Sequence, residues 1–100
     1  MPAKPFVTDT RQFPRKEDAK VFFRAMLNRY RPGDKVSDAD SRDLAALLKH
    51  HTEYAAKVGG GIVQFNVIAN LYNTKSFEIV RRDGSKEDFS YIHCITPKRD

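Results

Sequence analysis

Ala19, Phe22, Phe23, Met26, Leu27 and Tyr30 recur at i, i+3, i+4, i+7, i+8 and i+11. This spacing runs an apolar stripe down one face of an α-helix. Pro14 suits the helix's first turn, and Glu17 and Asp18 sit where the positive end of the helix dipole favours acids. "RPGD" (31–34) ends the element. A second helix is predicted from Ser37, whose hydroxyl can cap with Asp40 three residues on. Its Leu44, Leu47, Leu48 and His51 share a face. His51 is therefore expected to be a buried, hydrogen-bonded core residue, with His50 nearer the solvent.

From Gly61 the apolar period changes from 3.6 to 2. Val63, Phe65 and Val67 alternate with Gln64 and Asn66, as a half-buried strand requires. "SFEIVRR" and "DFSYI" follow as two more strands, with Phe77, Ile79, Phe89 and Tyr91 inward. A two-residue Asp83-Gly84 loop would set Phe77 against Ser90 and mix apolar with polar on each face. A three-residue Arg82-Asp83-Gly84 loop, with glycine in the left-handed position, sets Phe77 against Phe89 and is the expected register. "PFVTDTRQF" near the start reads as one edge strand. The sum is a single α+β domain over residues 1–100, with two helices packed on a mainly antiparallel sheet of three to four strands.

Length and composition narrow the class. A chain of 100 residues supports one core and not two. The only cysteine, Cys94, rules out an intrachain disulfide, and "MPAKPFVTDT" lacks the apolar run of a secretory signal, so a cytoplasmic location is expected. Gln64, Asn66 and Asn70 interrupt the most apolar stretch, so no membrane span is expected. The net charge is +5, and residues 1–50 hold 11 Lys and Arg against 7 Asp and Glu. The excess lies in the first half, and a pI near 9.5 admits a polyanionic partner.

Several constellations carry candidate chemistry. Lys16, Lys20 and Arg24 follow at i, i+4 and i+8 on the first helix, and Arg31 falls within the same arc of about 80° at roughly 100° per residue. They form a basic flank to the apolar face. "KVGGGIV" (57–63) lacks the spacing and the Lys-Ser/Thr pair of a phosphate-binding loop. It reads first as a helix stop and turn, with anion contact from Lys57 and the amides of Gly59 and Gly61 as the alternative. His50, His51, His93 and Cys94 lack the spacing of a zinc site, so no metal and no cofactor are expected. Asp88 and Ser90 would share a strand face without defining a nucleophile and base, so no catalytic residue is assigned and an enzyme is not expected.

"LLKHHTEYAAKVGGGIVQFNV" and "SFEIVRRDGSKEDFSYIHC" resemble the DCL-like (defective chloroplasts and leaves) family, a domain of unknown function. Its pattern runs Leu-Leu-x-x-His-Pro, Lys-x-Gly-x-Gly, an aromatic-rich strand, Arg-x-Asp-Gly and Asp-Phe-Ser-Tyr-x-Lys-Cys. Thr52 stands where that pattern has proline, and His93 where it has lysine. The resemblance implies involvement in plastid ribosomal RNA maturation, and a related domain at the C-terminal end of plant-specific RNA polymerase largest subunits. The chain then reads as a small bacterial-type member. The expected function is an RNA-binding accessory factor, contacting RNA through Lys16, Lys20, Arg24, Lys57, Gly59, Gly61 and Arg81, with Asp88, Ser90, Tyr91 and His93 as a further candidate surface. The alternative is a protein-interaction module docking on a nucleic-acid machine, and a nuclease or other hydrolase is a distant third; the chain is expected to be a monomer.

Overall fold

The computed structural model describes residues 5–70 and 74–96. Among them the order is β1 (Phe6–Val7), β2 (Gln12–Phe13), α1 (Lys16–Asn28), α2 (Asp38–Leu48), α3 (Tyr54–Val58), β3 (Ile62–Ala69), β4 (Lys75–Arg81), β5 (Lys86–Phe89) and α4 (Tyr91–Ile95). This is the expected α+β class. No helix of the described residues is long and apolar enough to cross a membrane.

The two long helices form as the periodicity predicts. Ala19, Phe23, Met26 and Leu27 of α1 are buried, and Phe22 and Tyr30 pack at the margin of the same cluster. The Asp18 carboxylate accepts the Arg15 N–H at 3.1 Å, closing the first turn of α1. Ser37 caps α2, its hydroxyl accepting the Asp40 N–H at 3.2 Å. The Asp40 carboxylate turns elsewhere, to the Tyr30 hydroxyl at 2.6 Å and Arg29 at 3.0 Å, and so ties the two helices together.

β3, β4 and β5 make an antiparallel sheet in sequence order. Phe77 pairs with Phe89, and Gly84 has φ +88°, so the three-residue loop is correct. Phe65, Val67, Phe77, Ile79 and Phe89 turn to the helices and complete the core, whereas Val63, expected on the same face, is exposed because the register shifts between Ile62 and Gln64.

Three further expectations are corrected. "PFVTDTRQF" is not one strand of the main sheet but a small hairpin, in which Phe6 pairs with Phe13. Thr8 closes its turn, its N–H donating to the Arg11 carbonyl at 2.8 Å, and both phenylalanines thereby reach the core. A single continuous strand would put Phe6 and Phe13 on opposite faces, being an odd number of residues apart; reversal of the chain brings both to one side.

The last strand also stops earlier than "DFSYI" suggests. β5 ends at Phe89, and Ser90 caps α4 by accepting the His93 N–H at 3.2 Å. Tyr91, Cys94 and Ile95 then lie at i, i+3 and i+4, and a helix turns them to the core side. Over so few residues the helical and strand periods overlap at Phe89 and Tyr91, so alternation alone could not separate them.

His51 is half-buried, not a core residue, because α2 ends at Leu48. In the turn that follows, its Nδ1 accepts the Glu53 N–H at 2.9 Å. His50 is the more exposed, as expected, and lies against Phe6 with ring centroids 4.7 Å apart.

Candidate functional site

Of the residues singled out from the sequence, Lys57, Arg81, Asp88, Ser90, Tyr91 and His93 gather around β5 and its junction with α4. Lys57, from the last turn of α3, reaches the Glu87 carboxylate and also donates to the Asp88 carbonyl at 3.2 Å. Arg81, at the end of β4, meets the other Glu87 oxygen at 2.5 Å. Its Nε donates to the Lys57 carbonyl at 2.8 Å, and its Nη1 to the Ser85 hydroxyl at 3.2 Å. Only 12% of the Lys57 side chain and 11% of Arg81 remain accessible. Both are built into a clasp, and neither offers a free cation to a ligand. The hydrogen bonds from Lys57 and Arg81 hold the Glu87 carboxyl below its ordinary pKa of 4.5.

The glycines serve that clasp. Gly59 has φ +55°, and a Cβ there would lie 3.1 Å from Arg81 Cδ, so glycine answers both the backbone and the close approach. The Gly59 N–H donates to Ala55 and the Gly61 N–H to Val58, each at 3.0 Å. Those two amides close the end of α3 and are not turned to an anion. Of the two readings of "KVGGGIV", the geometry realises the stop and turn.

On α1, Lys16 and Arg24 are exposed, whereas Lys20 is half-buried and pairs with Glu17 at 3.3 Å. Arg24 alone of this stripe lines a groove that also includes Asn28, Lys75, Ser90, Tyr91 and Ile92, with a volume of about 450 Å³. Arg24 and the Ser90/Tyr91 pair were separate candidates in the sequence, and the fold brings them together. Tyr91 sits edge-on to Phe77, with centroids 6.4 Å apart. Asp88 is exposed, and its carboxylate makes no hydrogen bond or ion pair among the described residues.

His93 faces the other side of the junction. Its Nε2 lies 2.9 Å from the Thr52 hydroxyl, and its ring centroid lies 4.5 Å from that of His51. Burial, followed by the positive charges of His93 and Lys57, lowers the pKa of His51 below 6.5. Cys94 is buried, and its thiol pKa is pushed up to about 12 by desolvation. It is no thiolate ligand at neutral pH. Among the described residues no three His, Cys, Asp or Glu side chains are placed to hold a metal ion.

Lys75 escaped the sequence reading. Its ammonium donates to the Tyr30 carbonyl at 2.7 Å and the Leu27 carbonyl at 3.2 Å, capping the negative end of α1. No local pattern marks it, because its partners are distant in the chain. Asp43 was missed for the same reason. It is 6% exposed and binds Thr10 at 2.7 Å and Arg11 at 3.0 Å, fastening the N-terminal hairpin to α2.

Residues 24–95 match the family described as "Protein of unknown function (DUF3223)", and the chain belongs to that family. It is 37% identical over 79 residues to the chloroplastic protein DCL of Solanum lycopersicum, a stretch covering 74% of this chain and 35% of that protein. DNA-directed RNA polymerase IV subunit 1 of Arabidopsis thaliana is 30% identical over 71 residues, covering 70% of this chain and 5% of the subunit. The chain thus spans about a third of the first of these relatives and a small fraction of the second. A solution NMR structure of an uncharacterized protein from Rhodospirillum rubrum is 46% identical, with a TM-score of 0.87, covering 92% of this chain and 88% of that one. The DCL-like resemblance read from the sequence is thereby established.

Proposed function

We propose that this domain is an RNA-binding accessory module acting in RNA maturation, and that RNA lies along the groove between α1 and the β5–α4 junction. The observation that carries this reading is the placement of Arg24 in one groove with Tyr91, Ser90 and Asn28. Arg24 makes no ion pair among the described residues. A guanidinium beside an aromatic ring and neutral donors suits a phosphate and an unstacked base together. Similarity to a subunit named for a DNA-directed RNA polymerase supports a place close to RNA. In this reading Lys16 adds charge along α1, while Lys57, Gly59, Gly61 and Arg81 shape the surface without touching RNA. The role is binding without catalysis, performed by a monomer in the cytoplasm.

Titration of total cellular RNA against the purified chain over a range of salt concentrations tests it. Each phosphate contact on a single strand contributes about 0.7 to the slope of log affinity against log salt. Arg24→Glu should weaken binding and flatten that slope, whereas Arg31→Glu, in the turn beyond the end of α1, should do so less. Failure of the wild-type chain to bind RNA at low salt, where electrostatic association is strongest, overturns the reading.

A further inference from the structure

The outer edge of β3 is only half covered. Residues 33–36 run antiparallel to it, with the Gly33 N–H donating to the Val67 carbonyl at 2.7 Å, the Val67 N–H to Asp34 at 2.9 Å and the Val36 N–H to Phe65 at 2.8 Å. The chain then leaves the sheet, because Ser37 caps α2. Among the described residues nothing pairs with the outer edge of Ile62, Val63 or Gln64. That half of the edge lies along a groove of about 260 Å³ whose opposite wall is α2. Asp38, Ser41, Arg42 and Ala45 line this wall at i, i+3, i+4 and i+7, so a single helix face borders it. The small side chains of Ser41 and Ala45 leave room for a backbone, and Val63 stands 58% exposed on the strand.

We propose that the open edge of β3 at residues 62–64 is a docking site for an extended acidic peptide segment of a partner protein, which adds a strand in line with residues 33–36. Strand addition obtains its affinity from main-chain hydrogen bonds and its selectivity from the flanking side chains. Those flanks are cationic. Lys35 and Arg42 border the groove, and Arg82 lies over Gly61 at the start of the edge, its Nε 3.5 Å from the place a Cβ would occupy. None of the three is ion-paired among the described residues, and Asp38 is the single acid on the wall. The excess of positive charge favours a peptide carrying Asp or Glu beside its β-branched residues. This surface is separate from the α1 groove and does not depend on RNA binding there.

Display selection tests it. A library of random ten-residue peptides is panned on the full chain, and the enriched peptides are titrated by fluorescence anisotropy and amide hydrogen exchange. The expected result is enrichment of sequences that alternate β-branched residues with Asp or Glu. Binding should slow amide exchange within residues 62–65. Lys35→Glu combined with Arg42→Glu should weaken binding by at least about tenfold, and Val63→Glu should weaken it independently. All three side chains are exposed, so circular dichroism should show an unchanged fold. Enrichment of amphipathic helical or basic peptides, or binding indifferent to these variants, overturns the assignment. So does protection of 62–65 by RNA, or by self-association of the chain without peptide.

Discussion

Phe77 and Phe89 stand directly opposite each other on β4 and β5, their ring centroids 6.0 Å apart and their planes inclined at 23°. Both are buried, and the pair sits where the hairpin meets the helices. Phe89→Ala should destabilise the fold by about 3–5 kcal/mol, the range for a large buried aromatic. Urea unfolding at neutral pH measures this. A loss below about 1 kcal/mol would mean the site collapses around the cavity and the ring pair is not central to the core.

Arg81 distinguishes a structural from a ligand-binding role for the turn motifs. Its guanidinium bonds Glu87, Ser85 and the Lys57 carbonyl. Arg81→Ala should therefore lower stability by about 2 kcal/mol, the scale of charge-assisted hydrogen bonds in a largely enclosed site. Paired measurements of melting temperature and RNA affinity on the folded variant should show the first falling and the second holding. The opposite pattern would assign Arg81 to RNA.

The pH dependence of stability should show two windows. Glu87 has a depressed pKa in the fold, so its contribution is present above about pH 4.5 and is lost as the pH falls through the folded value. His51 is likewise depressed, so its contribution is present above about pH 6.5 and declines as the pH falls from there. Thermal melts of wild type and Glu87→Gln should differ most above pH 4.5 and converge in acid. His51→Gln should remove the decline that begins near pH 6.5 and leave the lower window intact.

Cys94 should be chemically silent until the fold opens. Its thiol is 1% exposed, and its pKa is raised from 9.0 to about 12. Iodoacetamide at pH 8 should label it slowly in the native chain and rapidly in denaturant. Mass spectrometry of the alkylated protein reads the difference, and rapid native labelling would show that α4 detaches readily from the core.

Long-period features were legible in the sequence because their signal is local. The α1 stripe repeats over several turns, the Ser37 cap precedes its helix, and the Phe77–Phe89 register follows from one glycine and a parity argument. Short elements were not legible. Five residues of α4 contain too few turns for a helical period to separate from alternation, and the Ser90 cap decides in favour of the helix. The end of α2 misled for a related reason, since His51 continues the leucine spacing after the backbone has left the helix. Within the candidate site, "KVGGGIV" revealed its turn but not its clasp. The meeting of Lys57 with Glu87 and of Arg24 with Tyr91 depends on where distant segments pack, which no local spacing encodes.

The hairpin bound through Asp43 has a consequence for the boundaries of the domain. The match to the family begins at residue 24, inside α1, yet Phe6, Phe13, Ala19 and Phe23 all belong to the buried cluster. A fragment cut at the edge of the recognisable signature would halve a helix and strip one side of the core. A longer protein that carries the signature would need its preceding segment to cover the same apolar patch. The buried core reaches N-terminal to the stretch that the family model matches.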